Sequence, residues 1–268
     1  MLSLCFTCRS DGAKVLYITF FYKHFTPTGL FFKKPKCYIL YTDKKRIMDD
    51  LQTGQNNFSP LSFLNNCFFF VLNAIGVFLL KMFYHAQSVQ REKIPTKGPL
   101  IVAANHFSYM DPVVLQSMFP RRISFMMTEV YYEGRGKWLF KLLHCICVKE
   151  EGSNISALKG GIEVLKKNGV LGIFPEGGVS REGRLQEGNP GIGFLAIKSG
   201  VPVIPAFISG TYEALPKGAK IPKISRIRII FGKPMTFKTI NEKATKKGIV
   251  EVTRQIMEQI AELSLSVK

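Results

Sequence analysis

Four short apolar runs recur through the second half of the chain: Leu100–Ala104, Val170–Phe174, Val201–Ile208 and Ile227–Phe231. Each is continuous rather than alternating, the pattern of strands covered on both faces, as in parallel sheets. Helical patterns lie between them. Residues Ser156 to Asn168 place Ile162, Val164 and Leu165 among lysines and close on Asn168-Gly169, a C-terminal stop. Pro190 to Ser199 reads as a second helix ended by Gly200, and Asn241 to Leu263 as a third, amphipathic one. Strands alternating with helices predict an α/β fold with a largely parallel sheet and helices on both faces.

Ahead of this pattern, residues 61 to 86 carry two apolar blocks, Phe68–Leu72 and Ala74–Leu80, interrupted by Asn65, Asn66 and Asn73 and closed by Lys81. A bilayer span takes about 20 mostly apolar residues. The stretch falls at that border, so a membrane-associated helix lying in one leaflet is expected over a full span. A buried helix of a soluble domain is the alternative. Residues 1 to 60 mix aromatic patches with basic clusters such as Lys44-Lys45-Arg46 and show no sustained period, which predicts a variable, poorly ordered extension. The chain thus divides into 1–60, a helical segment 61–90, a main domain 91–240 and a C-terminal helix 241–268.

Charge narrows the choice of partner. The balance of 37 Lys+Arg against 19 Asp+Glu gives +18, an attraction to polyanions. Basic residues are interleaved with 22 Phe and no groove-reading motif is present, which favours an anionic membrane surface over nucleic acid. Six cysteines are too sparse for a disulfide scaffold, and Cys5-x-x-Cys8 finds no further pair to complete a zinc pattern. The first residues lack the organisation of a secretory signal, so a cytoplasmic-side location at a membrane is expected.

Candidate chemistry gathers after two of the strands. His106 follows Leu100–Ala104, at the carboxyl edge where parallel α/β sheets bind ligands. Asp111 precedes Pro112, a helix-start signal in which Asp is the expected N-cap, and the intervening loop can fold the carboxylate back toward the imidazole. A carboxylate holding one ring nitrogen leaves the other to take a proton from a hydroxyl. Ser108 lies in the same loop without a Gly-x-Ser-x-Gly elbow, which argues against a covalent serine. After the second strand, Phe174-Pro175-Glu176-Gly177-Gly178-Val179-Ser180-Arg181 offers an acidic residue, glycines that expose backbone donors, and guanidinium groups at Arg181 and Arg184 suited to phosphate oxygens.

The Asn-His-x-Ser-x-x-Asp box at Asn105–Asp111, the Phe-Pro-Glu-Gly box at Phe174–Gly177 and the Gly-Val-Pro-Val-Ile-Pro box at Gly200–Pro205 resemble, in this order, the glycerolipid acyltransferase family, typified by 1-acylglycerol-3-phosphate acyltransferases. The resemblance implies transfer of a fatty acyl group from an acyl-CoA or acyl carrier protein thioester, as co-substrate, to a lysoglycerolipid hydroxyl, with membrane lipids as partners. It implies catalytic roles for His106 as general base and Asp111 as its orienting partner. It matches Glu176 and Gly177 to the acceptor-binding box and requires no bound cofactor or metal; Ser108, Arg181 and Arg184 join them as expected substrate-binding residues by their place and chemistry. A catalytically silent lipid-binding protein and a thioester or lipid hydrolase share these boxes as other readings. This chain departs from the family pattern at Val179 and Glu150, where arginine is usual, and at Asn189, where lysine is frequent. The expectation is a weaker dependence on an acceptor phosphate, with Lys149, Arg181 or Arg184 as substitute cations.

Overall fold

The computed structural model describes residues 60–134, 137–149, 155–237 and 245–266. The extension before Pro60, with Cys5 and Cys8, and the positions Glu150 and Asn241 lie outside the described residues. Seven strands form one sheet: β1 (Gln87–Val89), β2 (Leu100–Ala104), β3 (Ile123–Thr128), β4 (Ile146–Val148), β5 (Val170–Ile173), β6 (Val203–Ser209) and β7 (Arg228–Phe231), in the order β1-β7-β6-β2-β5-β3-β4. Every pairing is parallel except β6 with β7. The main helices are α1 (Pro60–Tyr84), α2 (Asp111–Met118), α3 (Ile155–Lys166), α4 (Gly191–Ser199) and α5 (Lys246–Leu265), with short helical turns elsewhere.

The apolar runs fall where burial is deepest. β2 lies between β5 and β6, and all five of its residues are inaccessible to solvent. Its alternate side chains feed two cores. Leu100, Val102 and Ala104 meet Val114, Leu115 and Leu80 from α2 and α1 on one face. Ile101 and Ala103 share the other face with Leu165 of α3, Leu195 of α4 and Ile260 of α5. The expected coverage of both faces is therefore present.

The helix stops use left-handed residues, though not always the expected one. α3 ends where Asn168 takes φ 57 and the Gly169 N–H reaches Val164 O at 2.9 Å; α4 ends on Gly200 at φ 63. Of the two prolines in the third box, Pro202 stands just before β6 and Pro205 lies inside it, in register with Ala103. Its carbonyl accepts from Gly232 N at 2.8 Å. N–H and C=O of one strand residue point the same way, so the missing donor faces Gly232, and only the reciprocal half of that pair, just beyond the end of β7, goes unmade. The strands β1, β3 and β4 were not expected. β1 and β4 are three-residue edge strands, and β3 buries only Ile123 and Phe125 fully.

α1 presents apolar residues on two sides. Phe69, Asn73, Gly76, Leu80 and Tyr84 recur at helical spacing along its inner face. Phe69 lies under the Arg122 guanidinium at 4.5 Å, and a Cβ on Gly76 would stand 2.8 Å from Ser117 Oγ, so the helix is seated directly on α2. Its outer side leaves Phe70, Val71, Ile75, Phe78 and Phe83 exposed. Among the described residues no helix is long and apolar enough to cross a membrane.

Gly172 on β5 is opposite Phe125 on β3, and a Cβ there would meet Ile123 Cγ2 at 2.5 Å and Phe125 Cδ1 at 2.6 Å. Overpacking of this kind costs about 1–3 kcal/mol. Gly172→Ala is accordingly expected to lower the urea unfolding midpoint, and an unchanged midpoint would show that β3 can yield.

Candidate active site

The site is assembled at the carboxyl edge of β2. Directly after the apolar strand, the buried Asn105 side chain donates from Nδ2 to Ile208 O (2.9 Å) and accepts at Oδ1 from Ile208 N (2.7 Å). A side-chain amide thus continues the β2–β6 ladder for one more residue and fixes the direction in which His106 leaves the sheet. Sequence reading assigned Asn105 no role. The available signal was a polar residue ending a wholly buried run, which needs partners of its own.

Asp111 is fully buried and opens α2 as its first residue, with Met110 rather than Asp111 at the N-cap position. The expected cap is corrected accordingly: the carboxylate turns backward instead of serving its own helix. Its Oδ2 accepts from Phe107 N (2.7 Å) and Ser108 N (2.7 Å) and lies 3.0 Å from His106 Nδ1. Because Oδ2 already accepts two backbone hydrogens, Nδ1 is the donor of the third bond. The basic lone pair is then on Nε2, and the His106 side chain keeps 14% of its surface open.

The second box holds the same histidine by its backbone. His106 N donates to Glu176 Oε1 (2.7 Å), and His106 O accepts from Ser180 N (2.8 Å). Glu176 Oε2 also accepts from Gln186 N at 3.2 Å. Burial pushes the Glu176 carboxyl up to about 7, against the two N–H donors and with help from the Asp111 charge. Above the sheet the rings form a stack: Phe125 lies parallel to Phe174 at 5.9 Å, and Phe174 lies 4.1 Å from the His106 ring at 18°. The space left by Gly172 therefore reaches the imidazole through two phenylalanines.

Beside this loop opens a cleft of about 670 Å³ lined by Glu176, Gly177, Gly178, Arg181, Arg184 and Lys217, among others. Gly177 takes φ +75, and neither it nor Gly178 has anything within 4 Å of where a Cβ would stand, so the backbone there is open to a ligand. Lys217 was missed in the sequence, where it is one lysine among many; its Nζ donates to Val179 O at 3.3 Å. Val179 itself is buried at 9% exposure, an apolar side chain in the cleft lining where the resemblance implied arginine. Asn189 ties the cleft to α4, through its N–H to Pro175 O (2.7 Å) and its Oδ1 to Gly191 N (3.1 Å). Lys149 is not among the lining residues.

Ser108 does not join the cleft. It is fully buried, donating from Oγ to Leu215 O (2.7 Å) and accepting from Met110 N (3.1 Å). Its hydroxyl is occupied in shaping the loop.

Two expectations follow from the geometry. In the folded state Glu176 binds its proton more tightly than the ordinary carboxyl near 4.5, so the stability it contributes is complete below about pH 4.5 and is lost as the pH rises through about 7. Glu176→Gln should flatten that part of the melting temperature against pH, and an unaltered slope would assign it to other groups. Asp111→Asn, which disturbs the donor role of Nδ1, should lower turnover roughly 10²- to 10⁴-fold while the protein remains folded by circular dichroism.

Comparisons with known proteins bear on this geometry. Residues 85–209 match the family model described as Acyltransferase. A 1-acyl-sn-glycerol-3-phosphate acyltransferase from Bacillus subtilis is 25% identical over 201 residues, covering 72% of this chain and 95% of that protein. A chloroplastic protein of the same name from Brassica napus is 29% identical over 157 residues, covering 57% of this chain and 46% of its own, so the chain spans about half the length of that relative. The crystal structure of the 1-acyl-sn-glycerophosphate acyltransferase from Thermotoga maritima shares the fold, with a TM-score of 0.62 at 22% identity over 77% of this chain and 84% of that one. By the matched domain and the curated relatives, residues 85–209 form a domain of the Acyltransferase family model, and the chain is similar to 1-acyl-sn-glycerol-3-phosphate acyltransferases.

Proposed function

We propose that the protein transfers a fatty acyl group from a thioester, acyl-CoA or acyl carrier protein, to the free hydroxyl of a lysoglycerolipid, with lysophosphatidic acid converted to phosphatidic acid as the leading case. The observation that carries this reading is the His106–Asp111 pair, with Nδ1 held at 3.0 Å, beside a cleft lined by Arg181, Arg184 and Lys217. Nε2 takes the proton of the acceptor hydroxyl as its oxygen attacks the thioester carbonyl carbon. The carbon–sulfur bond then breaks and the proton passes from His106 to the departing thiolate, giving an ester and a free thiol. Neither a metal nor a redox step enters this balance.

Arg181, Arg184 and Lys217 supply cations for an anionic headgroup, and the open backbone at Gly177 and Gly178 supplies room. The outer face of α1 supports placement at a bilayer surface. A fully buried side chain of this type contributes about 1.5–3 kcal/mol, so several exposed phenylalanines and aliphatics make interfacial seating favourable. On this reading the chain lies on the cytoplasmic side of the membrane and takes both substrates there.

Purified chain supplied with labelled acyl thioester and a panel of lysolipids, with and without phosphate, tests the proposal. Label should enter a diacyl lipid, and His106→Ala should reduce the rate at least a hundredfold. Free fatty acid without a lipid product would replace this reading with hydrolysis. Among acceptors the phosphate-bearing one should lead by a smaller margin than a buried arginine would give, and Arg181→Ala should narrow it further; a margin unmoved by that change would remove Arg181 from the headgroup site.

A further inference from the structure

The two most exposed large apolar side chains among the described residues are not on α1. They are Ile221 and Ile224, 79% and 80% exposed, in the connection between β6 and β7. The segment from Pro216 to Arg226 carries Lys217, Lys220, Lys223 and Arg226 and no acidic residue. Its base is closed by Lys223 N donating to Ala214 O (2.7 Å), and a turn is set by Ala219 N to Pro216 O (3.0 Å). The loop is therefore tied down while its isoleucines point away from any core.

Its two arms end at places already described. At one arm Lys217 reaches Val179 O on the rim of the cleft. Beyond the other arm Ile227 N donates to Tyr84 O (3.0 Å), at the last turn of α1, beside the exposed Met82 and Phe83. The loop thus runs from the cleft to the end of the outward apolar helix. Apolar tips alternating with cations suit one occupant, an anionic bilayer surface, since isoleucine gains from acyl chains while lysine and arginine gain from lipid phosphates. A nucleic acid would use the cations and leave the isoleucines in water.

We propose that Pro216–Arg226 is a second membrane-contact element, which seats Ile221 and Ile224 in an anionic leaflet next to α1 and turns the cleft toward the lipid. This rests on the membrane-surface reading given above and adds a contact and an orientation to it.

The full chain with Trp138→Phe and Ile221→Trp carries one tryptophan, placed at the loop tip. Bound to vesicles of phosphatidylcholine and phosphatidylglycerol, its emission should shift to the blue and be quenched by brominated phosphatidylcholine. Lys220→Gln with Lys223→Gln should weaken binding to these vesicles roughly tenfold or more, without an effect on pure phosphatidylcholine vesicles. Acyl transfer in detergent micelles should stay at the wild-type rate for both variants. Protein that sediments with vesicles while the tryptophan remains unquenched overturns the loop contact and leaves membrane association through α1 standing. Protein that does not sediment at all overturns both, and micellar activity then tests the chemistry on its own.

Discussion

Three hydrogens converge on Asp111 Oδ2, from Phe107 N, Ser108 N and His106 Nδ1. A buried carboxylate needs such donors to offset its desolvation. Meeting that need closes the loop after β2 into one shape, because two of the three donors are backbone groups. Ser108 is drawn inward by the same closure, and its hydroxyl completes the turn by reaching Leu215. The histidine ring is thus placed by the electrostatic requirements of a residue five positions away. Asn105 and Glu176 fix the two ends that this carboxylate does not reach, one against β6 and the other against the second box.

Much of this was legible in the chain. The buried strands β2 and β5 emerged with nearly their observed limits, because a central parallel strand must be apolar on both faces and its sequence has little else to say. The edge strands β1 and β4 were hidden for the converse reason: three half-exposed residues such as Gln87-Ser88-Val89 carry no pattern that pairing alone would impose. His106 and Asp111 were legible through spacing and the proline that follows. Asn105 and Lys217 were not, since their roles depend on Ile208 and Val179, far away in sequence. The same holds for the ring stack, which joins residues from β3, the second box and the first box.

The valine at position 179, where the resemblance implied arginine, reads differently once the fold is known. Val179 is largely buried, and where it lines the cleft it brings no charge. The charge near that backbone comes instead from Lys217, carried in from the connection after β6. A lysine is a compact charge on a flexible stem, whereas arginine presents a planar fork. A charge of that kind attracts an anionic group without fixing its orientation.

The junction of α1 with the domain bears on how the protein can be handled. Leu80 is part of the core, Ala86 N donates to Leu80 O, and Ile227 N depends on Tyr84 O. The apolar helix is continuous with the interior rather than tethered to it. Trimming the chain after Tyr84 to gain solubility would uncover core and orphan a backbone donor at the edge of β7, leaving a surface prone to self-association in place of the one removed.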